Sequence, residues 1–107
     1  MYNPGQLLAA AAAGAAYAAP YLGRLEDAGR DGRDTVLAMH AILRGTGAGT
    51  RLLVASLRSA DRIVDLARQG LDTFTFGPEV AAALLQDDLA DTAAAAFEAA
   101  AAAAQRR

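Results

Sequence analysis

Blocks of apolar and polar residues alternate along the chain and predict helices and short buried strands in turn. The first helix is expected to begin at Asn3-Pro4, because asparagine caps helices and proline suits their first turn, and to end at Gly14. Further helices are predicted at residues 33–44, 59–69, 78–85 and 89–107. Continuous apolar runs predict strands at residues 16–21, 51–56 and 73–76.

Polar and glycine-containing segments separate these elements. Residues 22–32 predict a loop, at the end of which Asp31 caps the next helix. Residues 45–49 predict a turn, and because that turn follows a helix and precedes a strand, it lacks the order of a phosphate-binding loop. Strands that alternate with helices predict an α/β protein with a parallel sheet.

Length and composition limit what such a fold can be. The chain has 107 residues, whereas a complete eight-stranded α/β barrel needs roughly 200 or more. A net charge of −2 argues against nucleic acid as a partner, and the absence of cysteine with a single histidine argues against a metal site. The apolar residues 7–19 are too few to span a membrane. We therefore expect a cytoplasmic protein with no cofactor and no membrane partner.

Candidate chemistry lies where the predicted strands end, because the carboxyl ends of parallel strands meet at one edge of a sheet. Tyr21 and Arg24 follow the first strand, and Ser56 and Arg58 follow the second. Two guanidinium groups and a hydroxyl at one rim suit a phosphate, although a single surface arginine is more often only solvated. Tyr21 is either an acid/base group or a buried ring with one bonded hydroxyl, and the residues alone favour the ring.

Other polar residues fit structural roles. His40 lies in the middle of a predicted helix and is expected to be a structural or surface residue. Asp87, Asp88 and Asp91 stand at a helix start, where acids cap the helix and interact favourably with its dipole, so capping is preferred to metal binding.

Several segments, taken in order, resemble the transaldolase and fructose-6-phosphate aldolase family. Residues 14–24, GAAYAAPYLGR, are similar to the sixth strand of the family and the loop after it. Residues 53–58, LVASLR, look like the seventh strand, and residues 73–76, TFTF, take the place of the eighth. Residues 2–8 resemble the end of strand five with its helix, and residues 27–32 resemble the polar loop before helix six.

The resemblance implies a fold and a site. Residues 1–107 would be the C-terminal part of a (β/α)8 TIM barrel, strands six to eight, with a long terminal helix at about 89–107. Arg24 and Ser56 would bind the phosphate of a substrate of the fructose 6-phosphate or glyceraldehyde 3-phosphate type, with Arg58 as a further candidate. Tyr21 would support proton transfer, and Ala19 would line the site.

The chain departs from this family in one decisive way, because all ten of its basic residues are arginine and none is lysine. Members of the family form a Schiff base between a lysine and the sugar carbonyl. The polar residues that the family carries on its first five strands also have no counterpart in this sequence.

Two hypotheses follow from the resemblance and the missing lysine. In one, the chain is part of an enzyme that cleaves off or transfers a dihydroxyacetone unit, inactive alone and completed by an N-terminal barrel fragment. In the other, it is a non-catalytic remnant that binds phosphate or self-associates. The terminal helix resembles the one that reaches a neighbouring subunit in ring-shaped oligomers of the family.

Overall fold

The computed structural model describes residues 1–106. In chain order its elements are α1 (Pro4–Ala12), β1 (Tyr17–Ala18), α2 (Leu22–Asp27), α3 (Gly32–Thr46), β2 (Arg51–Leu52), β3 (Val54–Leu57), α4 (Ala60–Arg68), β4 (Phe74–Phe76), α5 (Pro78–Leu85) and α6 (Asp88–Gln105). The pairings β1–β2 and β3–β4 are both parallel. The predicted α/β class is therefore confirmed, and the arrangement is consistent with part of a TIM barrel.

Side-chain caps begin four of the helices at the positions that the sequence pattern indicates. Each cap accepts a hydrogen bond from a backbone N–H of the first helical turn, which is otherwise unpaired. The bonds are Gln6 N to Asn3 Oδ1 (2.9 Å), Asp34 N to Asp31 Oδ1 (2.9 Å), Arg62 N to Ser59 Oγ (3.2 Å) and Leu89 N to Asp87 Oδ1 (2.9 Å). The capping role expected for the acids near residue 87 is thus met by Asp87.

The sheet is organised around a central stretch, residues 51–57, of which residues 51–56 were predicted as a single strand. The structure interrupts it at Leu53, but its hydrogen bonds to the first strand continue through the interruption. These bonds are Arg51 N to Ala16 O, Leu53 N to Ala18 O and Ala55 N to Pro20 O, each 2.9 Å. On the other side, the Val54 N–H donates to the Thr73 carbonyl at 3.1 Å. Residues 51–57 therefore lie between the other two strands.

Met1 extends the sheet on the outer edge of β1. Its N-terminal amine donates to the Ala19 carbonyl at 2.9 Å, and the Tyr21 N–H donates to the Met1 carbonyl at 3.3 Å. This alternation of bonds is that of a parallel pair of strands. Met1 thus occupies the edge on which the preceding strand of a barrel would lie.

Helices cover one face of this sheet and form the core with it. On α3, Val36, Met39 and Leu43 are buried at helical spacing, and on α4 Ile63 and Leu66 are buried. The core cluster consists of Leu7, Ala18, Leu22, Val36, Met39, Leu43, Leu52, Val54, Leu57, Ile63, Leu66, Leu71 and Val80. These side chains come from both the helices and the strands, so each βα unit depends on the next.

The opposite face of the sheet carries no helix within the described residues. Side chains alternate along a strand, which places Tyr17, Arg51 and Thr75 on this face. All three are exposed, and 56% of the Tyr17 surface is accessible. In a closed barrel this face would point inward, and we call it the open sheet face.

The prediction of a loop at residues 22–32 is wrong, because Leu22–Asp27 forms helix α2. Leu22 and Leu25 stand three residues apart and are both buried, so a single helical turn packs them against the sheet. The gain from burying two leucines outweighs the polar, glycine-containing sequence around them.

Ion pairs between partly exposed side chains join α2, α3 and α4. Arg33 donates to both carboxylate oxygens of Asp65 at 2.6 and 3.2 Å, and Arg62 donates to Glu26 at 2.8 Å. Solvent screens such pairs, so each contributes little to stability and mainly orients the helices.

The terminal helix α6 stands apart from the core. None of its described residues is buried, and Leu89 and Phe97 are 79% and 76% exposed. The described chain measures 67 × 30 × 19 Å, which reflects this projection. The predicted terminal helix included residue 107, which lies outside the described residues. Across residues 1–106 no helix combines the length and apolar character needed to cross a membrane.

The core predicts a clear contrast between two leucines. Leu66 is completely buried and Leu89 is exposed on α6. Leu66→Ala is expected to lower the free energy of unfolding by about 2–5 kcal/mol, because it leaves a cavity in the core. The matched change Leu89→Ala should stay within about 0.5 kcal/mol. Urea unfolding followed by circular dichroism measures both, and equal effects would contradict this core.

Candidate functional site

The carboxyl ends of the first and central strands meet the first turn of α2. Tyr21 pairs with Ala55 across the two strands, and the chain then turns into the helix at once. Gly23 is buried there: a Cβ atom on it would lie 2.8 Å from Ser56 Oγ and 2.9 Å from Arg58 Nε, and would also press on the Ser56 carbonyl. Because a side chain does not fit, glycine permits the close approach of α2 to the end of β3.

Ser56 has an unusual backbone. Its φ of +58° is the one positive value at a non-glycine residue in the described part of the chain. The pairing of β3 with β4 advances three residues from Val54 to Leu57 but two from Phe74 to Phe76, so β3 carries a bulge. A left-handed serine costs about 1–2 kcal/mol, and bulges re-aim side chains next to sites.

Arg24 is an exposed cation held by aromatic rings. Its guanidinium carbon lies 5.2 Å from the centre of the Tyr21 ring, and Nη1 donates to the Tyr2 hydroxyl at 3.5 Å. The two tyrosine rings are 5.7 Å apart. Arg24 forms no ion pair with a carboxylate of residues 1–106. A guanidinium over an aromatic face keeps its full charge, which leaves it able to bind an anion.

Arg58 differs from Arg24 because it forms an ion pair with a carboxylate. Its two terminal nitrogens donate to the two carboxylate oxygens of Asp27 at 2.5 and 2.8 Å. The hydrogen bond from Arg58 and then its charge hold the pKa of Asp27 below the usual value. The pKa of Arg24 is raised mainly by its hydrogen bond with Tyr2, while the charge of Arg58 acts in the opposite direction.

The structure brings the predicted residues Tyr21, Arg24, Ser56 and Arg58 to one end of the sheet. Ala19 is half-buried and precedes Tyr21 by two residues, so it lies on the same sheet face. The Ser56 hydroxyl forms no hydrogen bond within the described residues. The rim therefore offers a ligand the guanidinium of Arg24 and the hydroxyl of Ser56, whereas the guanidinium of Arg58 is already paired with Asp27.

Two residues of the site were missed by the sequence analysis. Tyr2 was not singled out, yet it contacts Arg24 and Tyr21, and its carbonyl accepts a hydrogen bond from Arg30 at 2.6 Å. The available signal was its position just before the cap of α1, in the segment that resembles the end of strand five. Asp27 lies in the segment predicted as a loop, where a charged residue is expected to face solvent and indicates no particular partner.

No cluster of three or more histidine, cysteine or acidic residues that would hold a metal ion occurs between residues 1 and 106.

Comparison with known proteins gives a consistent result over the whole chain. The family model described as transaldolase/fructose-6-phosphate aldolase matches residues 1–107. The chain is 39% identical over 96 residues to a "Probable transaldolase" of Maricaulis maris, which covers 90% of this chain and 44% of that protein. It is 40% identical over 90 residues to one of Caulobacter vibrioides, covering 84% and 42%. A third, of Coprothermobacter proteolyticus, is 40% identical over 91 residues, covering 85% and 42%. The chain spans less than half the length of these relatives.

The Arg58–Asp27 pair predicts a pH effect at the rim. The pKa of Asp27 is lowered in the folded chain, so the ion pair stabilises the folded state at pH values above the ordinary aspartate pKa of about 3.9. This stabilisation is lost as the pH falls through the lowered pKa and the carboxylate is protonated. NMR titration of the Asp27 carboxyl carbon should give a midpoint below about 3.9. Arg58→Ala should return the midpoint to that value, and an unchanged midpoint would refute the pairing.

Proposed function

The chain belongs to the transaldolase and fructose-6-phosphate aldolase family, and we propose that it supplies the phosphate-binding side of a sugar-phosphate site. The observation that carries this proposal is Arg24, a guanidinium with full charge and no carboxylate partner within the described residues. It lies at the carboxyl end of a parallel sheet, where α/β proteins bind their ligands.

The chemistry of the rim favours a phosphate over an uncharged ligand. Arg24 donates N–H groups in a fork that matches two phosphate oxygens, and such charge-assisted bonds are the stronger kind. Ser56 adds a hydroxyl donor, and Gly23 lets that hydroxyl approach the first turn of α2. Arg58 contributes long-range attraction, but its N–H groups are engaged by Asp27.

The carbon chemistry of the family requires a lysine that this sequence does not contain. In the proposed reaction a lysine amine adds to the keto carbon of fructose 6-phosphate and water leaves, which forms an iminium. The iminium at C2 accepts the electron pair when the bond between the next two carbons, C3 and C4, breaks. The C4 hydroxyl loses its proton as glyceraldehyde 3-phosphate leaves, and a dihydroxyacetone unit stays on lysine as the enamine. Tyr21, beside Arg24 at the rim, supports the proton transfers. The chain alone does not catalyse this cycle.

In this proposal a complementary N-terminal barrel fragment, with the first five strands, completes the site. The open sheet face and the Met1 pairing on the outer edge of β1 support it, because both are places that a closed barrel covers. The complete assembly works on sugar phosphates in the cytoplasm. Without that partner, the chain self-associates through the same surfaces.

A second candidate function is a non-catalytic module for phosphate binding or oligomerisation. It is favoured by α6, which has no buried described residue and exposes Leu89 and Phe97. An apolar helix side of this kind is better suited to contact another subunit than to remain in water.

Phosphate binding is expected to depend on Arg24. Arg24→Ala should weaken binding of inorganic phosphate by about 1.5–3 kcal/mol, because it removes charge-assisted hydrogen bonds. Ser56→Ala should cost about 1 kcal/mol. Arg58→Ala should cost less than Arg24→Ala, since Asp27 already compensates its charge. Isothermal titration calorimetry measures each variant, with Arg68→Ala in the last turn of α4 as the matched control.

A larger loss for Arg58→Ala than for Arg24→Ala would mean that the phosphate arginine is wrongly assigned. Equal binding by all four variants would exclude a phosphate site at this rim.

Schiff-base formation is expected only with an added lysine-bearing chain. The 107-residue chain treated with fructose 6-phosphate and borohydride should gain no covalent adduct by mass spectrometry, because it has no lysine. Mixing it with a family fragment that carries strands one to five should give an adduct on that fragment. A stoichiometric adduct on the 107-residue chain alone would contradict the proposal.

A further inference from the structure

A cavity of about 350 Å³ lies at the end of the sheet opposite the rim. The second half of α3 forms one wall, and the segments that lead into β2 and β4 form the others. His40, Arg44, Arg51 and Asp72 supply its polar groups, and Leu43 and Leu71 are among its apolar ones. Its volume falls in the range of small-molecule sites, roughly 300–1,000 Å³.

His40 presents an unsatisfied group at this cavity. Its Nε2 atom is buried and has no hydrogen-bond partner within the described residues. The nitrogen lies beneath Gly70, where a Cβ atom would stand 3.2 Å from it. Buried polar atoms in folded proteins are nearly always bonded. His40 lines the cavity, and the torsion of an imidazole ring is broad, so the ring can rotate to offer an N–H group to a ligand.

Arg44 supplies the uncompensated charge. It follows His40 by four residues, so the two side chains share one side of α3, and it forms no ion pair within residues 1–106. Arg51, by contrast, donates to Asp72 at 3.4 Å and to Thr73 at 2.8 Å. Arg44 lies in the last turn of α3, and the carboxyl end of a helix carries about half a negative charge. This partial charge is smaller than the full positive charge of Arg44, so the cavity keeps a net positive charge at this wall.

We propose that this cavity binds a small organic anion. The anionic head, a carboxylate or a phosphate monoester, accepts hydrogen bonds from His40 and Arg44, and an apolar body lies against Leu43 and Leu71. A cationic ligand does not fit, because the carboxylate of Asp72 is already bonded to Arg51. This site is separate from the rim and independent of the function proposed for it.

His40 makes the test direct, because it is the only histidine in the chain. Imidazole resonances are followed by NMR while butyrate or monobutyl phosphate is added at constant pH and ionic strength. A saturable shift is expected with at least one of the two, and the better ligand identifies the preferred head group.

Arg44→Gln is expected to weaken that binding about tenfold, the effect of losing one charge-assisted hydrogen bond. Arg24→Gln removes the same charge at the opposite end of the sheet and should leave the His40 response unchanged. The absence of a saturable shift with both compounds overturns the proposal. So does a response that survives Arg44→Gln, or one that Arg24→Gln reduces equally.

Discussion

The packing of Gly23 against the bulge at Ser56 is the contact on which the geometry of the rim depends. It fixes α2 against the strand ends, so the guanidinium of the next residue, Arg24, lies over the Tyr21 ring and within reach of the Tyr2 hydroxyl. The same contact leaves Arg58 within reach of Asp27 at the far end of α2. One missing side chain therefore decides where two guanidinium groups lie and which of them a carboxylate compensates.

Much of the architecture could be predicted from the sequence, because its signals are local. Caps such as Asn3 and Ser59 satisfy N–H groups three residues away, and continuous apolar runs mark the strands. Helix α2 was missed because its apolar pattern consists of only two leucines. The bulge was missed because a positive φ at serine leaves no trace in composition. Tyr2 was missed because its partner, Arg24, is 22 residues away.

The two ends of the sheet show how the same residue type acquires different properties. Arg24 and Arg44 have no carboxylate partner within the described residues, whereas Arg58 and Arg51 are each bonded to an aspartate. The sequence alone lists them as equal charges. Only the fold separates the guanidinium groups that are available to a ligand from those that serve to hold elements together.

The strand pairing also bears on how the protein acquires its shape. Tyr17 pairs with Arg51, 34 residues later (51 − 17), and Val54 with Phe74, 20 residues later (74 − 54). The first closure spans helices α2 and α3 and the second spans α4, and the entropic cost of such a closure grows only slowly with its length. These strands can thus pair in the order in which they are synthesised, without waiting for a distant segment.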